Sequence, residues 1–251
     1  MRFPSLRGLL KLSWVEAKVF SREPGGFVVT LIMPAVMFWI LGRSFGAGQL
    51  TSNDGSGMTF NSAVFAAVVI AINAVQSLLQ IIAIYREGGI LKRLRATPLS
   101  PVAILGAHVI VKLGFALLSM LVMVMVGRRI FPGVMSVNVP AFAVGVLLST
   151  LSILSVGFVL ASLVPTSRFA QMIGALVLYP MLALSGLFFP LDRLPLWLRV
   201  VAEFMPTTHS VAMLQGIWGG RGWSALMPHA VLLVLLFLAY TALSTRLFRW
   251  E

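Results

Sequence analysis

Long apolar stretches alternate with short polar ones along the 251 residues of the chain. A helix that crosses a bilayer needs about 20 mostly apolar residues. No strict alternation of polar and apolar residues runs through these stretches, so they predict helices rather than the strands of a barrel. Six segments meet the length requirement and predict an all-α polytopic membrane protein: residues 26–46, 60–84, 101–126, 139–163, 170–190 and 225–246.

Residues 6–22 predict an amphipathic helix ahead of the first span. At about 100° per residue its basic residues share a stripe about 60° wide, with an apolar arc on the opposite side. This pattern is typical of a helix lying in the interface of the cytoplasmic leaflet, and plain positive-inside anchoring is the alternative. Glu16 lies on the apolar side and fits this amphipathic pattern only if its carboxylate pairs with a cation from another segment. The stripe consists of Arg7, Lys11, Lys18 and Arg22.

Residues 85–98, between the second and third spans, predict a short helix at the membrane surface. They hold enough helix formers for about three turns, and the Thr-Pro at their end stops the helix, because a residue before proline avoids the helical region. Ile90, Leu91 and Leu94 share a face with Glu87. Such a face suits docking into a groove on a soluble partner, and a basic topological anchor is the open alternative.

Residues 186–224, before the sixth span, are too apolar for a solvated loop and too interrupted by proline to span. Tryptophans in this segment suit the interfacial belt, where indole rings meet the headgroups. Short re-entrant helices that dip into the outer leaflet over residues 191–218 fit this pattern best. The prolines are Pro190, Pro195 and Pro206, and the tryptophans are Trp197, Trp218 and Trp223.

Composition agrees with a membrane protein. Apolar residues make up 59% of the chain and charged residues 10%, against about 45–50% and about 25% in soluble domains. The mean hydropathy of +0.99 excludes a soluble globular domain, a disordered chain and a coiled coil. The chain has no cysteine, which removes disulfides, thiolate metal sites and cysteine nucleophiles. Its three histidines lie on separate segments, so no metal site is expected.

Basic residues set the expected orientation. The net charge of +12 would suggest nucleic acid in a soluble chain. Here the charges lie at the ends of apolar runs, so no nucleic-acid partner is expected. Thirteen of the 19 basic residues fall on the side of the two termini, which predicts that both termini are cytoplasmic in a multi-pass inner-membrane protein. The pair Arg128 and Arg129 is the weakest point of this assignment.

Three stretches together resemble a known family. A basic amphipathic N-terminus ends in Arg-Glu-Pro-Gly, and a Glu-Gly-Gly-Ile-Leu-Lys-Arg-Leu-Arg-Ala-Thr-Pro-Leu-Ser loop follows the second span. A Gly-Leu-Phe-Phe-Pro-Leu segment, continued by Leu-Pro-Leu-Trp-Leu and Met-Pro-Thr-Thr-His, precedes the sixth. Over essentially all of residues 1–251 the chain resembles the single transmembrane domain of ABC-2 type transporter permeases, which serve bacterial drug, nodulation-factor and polysaccharide exporters.

The resemblance implies a dimeric permease, with a homodimer as the simplest form, and two copies of a separate ATP-binding subunit. That subunit would bind ATP and Mg, so the chain itself would carry no cofactor and would not be an enzyme. In agreement, the sequence contains no Gly-x-x-x-x-Gly-Lys-[Ser/Thr] phosphate loop. The loop after the second span would be the coupling helix, and the implied docking residues are Glu87, Gly88, Leu91, Arg93, Leu94, Thr97 and Pro98.

Polar side chains inside spans are costly unless they face protein or water. The resemblance implies that the second and fifth spans line a path at the dimer axis and that residues near 187–210 form an outer gate. Interhelical hydrogen bonding, worth about 0.6 kcal/mol each in membranes, is the alternative for the polar residues. The candidate path residues are Asn73, Gln76, Ser77, Gln80, Gln171, Tyr179 and Ser185, and the candidate gate residues are Phe188, Phe189, Pro190, Trp197 and His209.

Two other functions are weighed against export. A secondary transporter would usually carry an intramembrane carboxylate and an internal repeat, and the spans show neither. A rhomboid-like serine protease would need Ser185 in a Gly-x-Ser-Gly motif beside a histidine, and the first glycine is missing. Sparse aromatic residues near the fifth span favour an amphipathic, lipid-linked or drug-like cargo over a polysaccharide, and membrane lipids are expected partners.

Overall fold

The computed structural model describes residues 6–22, 24–44, 61–89, 101–130, 137–188 and 190–247. Within these ranges the regular structure is helical, with a 3₁₀ turn at Leu191–Arg193. The nine α-helices of the described residues are α1 (Leu6–Ser21), α2 (Pro24–Ser44), α3 (Ser62–Glu87), α4 (Pro101–Ile130), α5 (Val139–Leu163), α6 (Ser167–Ala183), α7 (Leu196–Glu203), α8 (Pro206–Trp218) and α9 (Trp223–Leu247).

Five of these helices are long and apolar enough to cross a membrane. They are α2, α3, α4, α5 and α9, which correspond to the predicted spans one, two, three, four and six. At about 1.5 Å per residue, helices of this length cover the roughly 30 Å of a bilayer core. The prediction of an all-helical, multi-pass membrane protein is confirmed to this extent.

Helix α6, the predicted fifth span, differs from its prediction at both ends. It begins three residues early, because the Thr166 side chain accepts a hydrogen bond from the Phe169 N–H and caps the helix. It ends seven residues early, in a turn where Gly186 adopts a φ of +82°. Its 17 residues extend over about 26 Å, so a sixth full crossing stays a prediction.

Helix α3 lies at the centre of the bundle, in contact with α2, α4, α5, α6 and α8. Its inner faces carry fully buried apolar side chains such as Leu78, Leu79 and Ile82. A close approach to α5 depends on Gly157, where an added Cβ would lie 2.9 Å from Cγ1 of Val75. Helix α9 packs against α5 and α8 and is far less buried.

Helix α1 packs against α4 through its apolar side. The rings of Phe20 and Phe115 lie 4.7 Å apart. Glu16, which the sequence left without a partner, places Oε1 2.9 Å from Nδ1 of His108, and that histidine is only 2% exposed. The basic residues Lys11 and Lys18 are exposed. The position of this helix relative to the leaflet stays a prediction.

Two short helices occupy the segment that was predicted to be re-entrant. Pro195 is the N-cap of α7, and Pro206 is the first residue of α8, a position where proline fixes the backbone without losing a hydrogen bond. Helix α7 is largely exposed, whereas α8 is buried against α5 and α9. Their depth in the outer leaflet remains a prediction.

Candidate functional site

The end of α3 is the part of the predicted docking region that the structure describes. Helix α3 continues to Glu87, so residues 85–87 extend the span instead of opening a separate helix. Gly88 and Gly89 then form a turn, in which Gly89 has the left-handed φ of +65° common just after a helix. The other predicted docking residues lie outside the described residues: Leu91, Arg93, Leu94, Thr97 and Pro98.

Arg86 binds the end of α5. Its Nη1 donates to the Val164 carbonyl oxygen at 2.5 Å and makes a longer contact of 3.5 Å to the Ser162 carbonyl oxygen. The last carbonyl groups of a helix lack partners within that helix. They also form the negative end of its dipole, so a guanidinium is a favourable partner there.

Glu87 binds the start of α6. Its Oε2 accepts hydrogen bonds from the Ser167 N–H at 3.1 Å and from the Ser167 hydroxyl at 2.9 Å. The first N–H groups of a helix are unpaired and form the positive end of its dipole. The carboxylate that was predicted to contact an ATPase is therefore bound within the chain.

These contacts form one arrangement, which we call the Arg86–Glu87 clamp: the two side chains of α3 with their partners Ser162, Val164 and Ser167. Arg86 and Glu87 are neighbours of opposite charge. Arg86 binds the C-terminal end of α5 and Glu87 binds the N-terminal end of α6, and a short connection joins these two ends. Sequence reasoning missed Arg86 and Ser167 as functional candidates. The available signal was an Arg-Glu pair at a span end and a Thr-Ser cap ahead of another apolar run.

The middle of α3 contacts α6 through two predicted path residues. Gln76 Nε2 donates to the Gln171 carbonyl oxygen at 3.4 Å. The Gln76 amide also fills the space beside Gly174, where any added side chain would collide with Oε1. The structure therefore brings Gln76 and Gln171 together, through the backbone of the second residue.

Ser77 faces a different helix. Its hydroxyl oxygen accepts a hydrogen bond of 2.6 Å from Nζ of Lys112 on α4. That ammonium also lies 4.1 Å from the ring centroid of Phe20 on α1, and Lys112 is only 8% exposed. Ser77 thus serves interhelical packing between α3 and α4, while Asn73 and Gln80 are half-buried.

The two remaining path candidates lie in contrasting environments. Tyr179 is 65% exposed and shares an outward face of α6 with Met172 and Leu176. Ser185 is 1% exposed, and its hydroxyl donates to the Leu182 carbonyl oxygen at 2.6 Å in the turn after α6. Tyr179 is available to a substrate or a second subunit, whereas Ser185 stabilises a turn.

The gate candidates are dispersed around the ends of α3, α7 and α8. Phe188 makes an edge contact of 6.0 Å with Phe65 in the first turn of α3. Pro190 precedes the 3₁₀ turn, Trp197 is exposed on α7, and Phe189 lies outside the described residues. His209 is buried, with Nε2 2.8 Å from the Glu203 carbonyl oxygen.

The structure brings together two of the three histidines that the sequence places on separate segments. The rings of His209 and His229 lie 5.8 Å apart. Even so, the part of the chain that the structure describes contains no group of three or more metal-ligating residues. The two imidazoles alone do not decide the matter, so the expected absence of a metal site stays a prediction.

The family model described as ABC-2 type transporter matches residues 8–218, which include most of α1, all of α2 to α8 and the clamp. The chain belongs to the ABC-2 type transporter family. It is therefore a membrane permease component of a transporter, and its long apolar helices fit that role.

Two curated relatives are similar over part of their length. Nodulation protein J of Rhizobium leguminosarum bv. trifolii is 32% identical over 102 residues, which cover 41% of this chain and 39% of the relative. Inner membrane transport permease YhhJ of Escherichia coli (strain K12) is 28% identical over 173 residues, or 65% of this chain and 44% of the relative. The match thus spans less than half the length of each of these relatives.

Proposed function

We propose that the chain is the membrane subunit of an ATP-driven exporter. It moves an amphipathic, lipid-linked or drug-like substrate out of the cytoplasm or the inner leaflet, with energy from a separate subunit that binds ATP and Mg. The family match over residues 8–218 carries this proposal. The sequence of the segment after α3 supports it, because its apolar and basic residues predict a helix suited to docking to a soluble partner.

We propose that the docking surface consists of residues 88–98, which is shorter than the range of 85–98 that the sequence alone indicated. We leave Glu87 out of this surface because its Oε2 accepts two hydrogen bonds from Ser167, and its role in docking stays a prediction. Leu91 and Leu94 would supply apolar contacts, and Arg93 would supply charge. Two copies of the ATP-binding subunit would each dock on one copy of this chain.

A second copy of the chain is proposed to pack beside α6, most simply as a homodimer. The outward face formed by Met172, Leu176 and Tyr179 is largely exposed in a single copy. Gln171 and Gln76 lie at the margin of the same face, where α3 meets α6. A path between two such faces would present apolar surface with few polar groups, which suits an amphipathic cargo.

The proposed location is the inner membrane, with both termini in the cytoplasm. The relative YhhJ is named an inner membrane transport permease. Helix α4 is compatible with this orientation, because its 30 residues exceed by about ten the number that crosses a bilayer core. Arg128 and Arg129 at its end therefore have room to lie beyond the hydrocarbon on the outer side.

The proposal is tested by co-purification with the cognate ATP-binding subunit. Affinity-tagged chain should retain that subunit, and Leu91→Asp should lose most of it, because a carboxylate replaces an apolar docking contact. Leu247→Asp is the matched control, since Leu247 is an exposed leucine at the end of another span on the same predicted side. Wild-type chain that retains no ATPase, or Leu91→Asp that retains as much as wild type, would contradict the docking proposal.

A further inference from the structure

We propose that Arg86 and Glu87 are positioning residues for transport, which lock α5 and α6 to the end of α3. When the docking segment is displaced, the ends of these three helices would then move as one unit. This inference rests on the proposed function, because it assumes that an ATP-binding subunit displaces residues 88–98. It assigns to Arg86 and Glu87 a role inside the chain, whereas the resemblance implied for Glu87 a contact with the partner.

Helix α6 packs against α3 along its length, and the clamp is the contact between them that lies nearest to the docking segment. The chain leaves α3 through the turn at Gly88 and Gly89, and only α3 and α4 are joined covalently to residues 90–100. Farther along α3, the hydrogen bond from Gln76 to the Gln171 carbonyl is long, at 3.4 Å. The contacts from Glu87 to Ser167 are shorter and charged, and they lie directly before the glycine turn.

The charges of the clamp are specific to the helix ends that they meet. Arg86 contacts carbonyl groups at the C-terminal end of α5, and Glu87 contacts an N–H group and a hydroxyl at the N-terminal end of α6. Each charge is opposite in sign to the helix end that it faces. Exchanging the two residues would keep the net charge and reverse both matches, which provides a direct test of the arrangement.

The Glu87 side of the clamp is exposed and the Arg86 side is partly buried, and loss of the Glu87 contacts should not prevent folding. Glu87 is exposed, and the hydrogen bonds to Ser167 are accessible to water. Exposed charged contacts add little to global stability. The apolar packing of α3 against α5 and α6 does not depend on them. Loss of the clamp should therefore alter the transmission of motion from the end of α3 to α5 and α6, and the complex with the ATP-binding subunit should still assemble.

The experiment follows two reporters in the complex with the ATP-binding subunit, reconstituted in lipid nanodiscs. Because the chain has no cysteine, a single bimane label can be placed at Lys92→Cys in the docking segment or at Phe169→Cys on α6. Phe169 is partly exposed and lies two residues after Ser167. The measured quantity is the change in fluorescence when ATP and vanadate are added.

In wild type both reporters should respond. Glu87→Ala should keep the response at Lys92→Cys and lose most of the response at Phe169→Cys. Glu87→Gln should restore that response in large part, because the amide oxygen still accepts the two hydrogen bonds. The charge exchange Arg86→Glu with Glu87→Arg should lose it as fully as alanine does. Co-purification of each variant with the ATPase checks that it is folded.

Two results would overturn the inference in distinguishable ways. An undiminished response at Phe169→Cys in both Glu87→Ala and the charge exchange would refute the clamp and leave the docking proposal standing. No response at Lys92→Cys in wild type would refute the docking proposal, and the clamp with it.

Discussion

The two ends of α6 are held by different kinds of contact. At its first residue, Ser167, the helix is bound by the charged side chain of Glu87 from α3. Near its last turn, the Met181 carbonyl oxygen accepts a neutral hydrogen bond of 2.8 Å from the Thr207 hydroxyl on α8. Hydrogen bonds that involve a charged group are roughly twice as strong as neutral ones. The end that adjoins the docking segment is therefore held by charged contacts at the surface, and the end that adjoins the gate candidates is held by a buried neutral hydrogen bond.

This difference suggests that the two ends of α6 have different roles in transport. The end bound by Glu87 can receive displacement from the docking segment, and the end bound by one neutral hydrogen bond can move where the path must open. Between the two ends, the close contact of Gly174 with Gln76 keeps α6 against α3. Substitutions at the middle of α6, at the clamp and at the far end of α6 should therefore differ in their effect on stability.

The largest expected effect is at the middle. Gly174→Leu should destabilise the purified chain by about 2–3 kcal/mol, because the new side chain must displace the Gln76 amide and overpacks the interface around it. Gly114→Leu on α4 is the matched control, since an added Cβ there meets nothing within 4 Å. Denaturant unfolding followed by tryptophan fluorescence measures both. Equal midpoints for the two variants would show that α3 and α6 are not closely packed.

A smaller effect is expected at the clamp end. Arg86→Ala should cost about 1–2 kcal/mol of unfolding free energy, because the carbonyl groups at the end of α5 lose a charged donor. Arg86→Lys should recover part of this, since an ammonium still donates. Arg246→Ala, at an exposed arginine near the end of α9, is the control and should fall within about 0.5 kcal/mol of wild type. If Arg86→Ala and Arg246→Ala unfold at the same midpoint, the clamp does not contribute to stability.

The smallest effect is expected at the far end. Thr207→Val preserves shape and removes the hydroxyl that pairs with the Met181 carbonyl, at a cost of about 0.6–1 kcal/mol, as for other interhelical hydrogen bonds in membranes. Thr245→Val is the control, because the Thr245 hydroxyl bonds within its own helix. The same unfolding assay applies. A loss at Thr207 larger than at Arg86 would reverse the proposed order of the clamp and the far end of α6.

The long helices were predictable because their signal is local. A run of apolar residues specifies a spanning helix without reference to its neighbours, and α5 matches the predicted 139–163 at both ends. Helix α3 was predicted to end at residue 84 and continues to Glu87. Its last residues are polar, and their partners lie on α5 and α6, which no hydropathy pattern can show.

The candidate site was harder to predict because helical periodicity does not identify the neighbouring helix. Gln76 and Ser77 fall on one arc of about 100°, and that arc is wide enough to face two neighbours. Gln76 contacts α6, while Ser77 contacts Lys112 on α4. Long-range pairs such as Glu16 with His108 likewise depend on the packed structure.

The most direct measurement of the central claim is site-specific photo-crosslinking. A benzoylphenylalanine at Leu91 should crosslink to the ATP-binding subunit in membranes, whereas the same probe at exposed Trp197 on α7 should not. Crosslinking from Leu91 alone would support a permease driven through the segment that follows α3. An absent crosslink at Leu91, or one from Trp197, would contradict it.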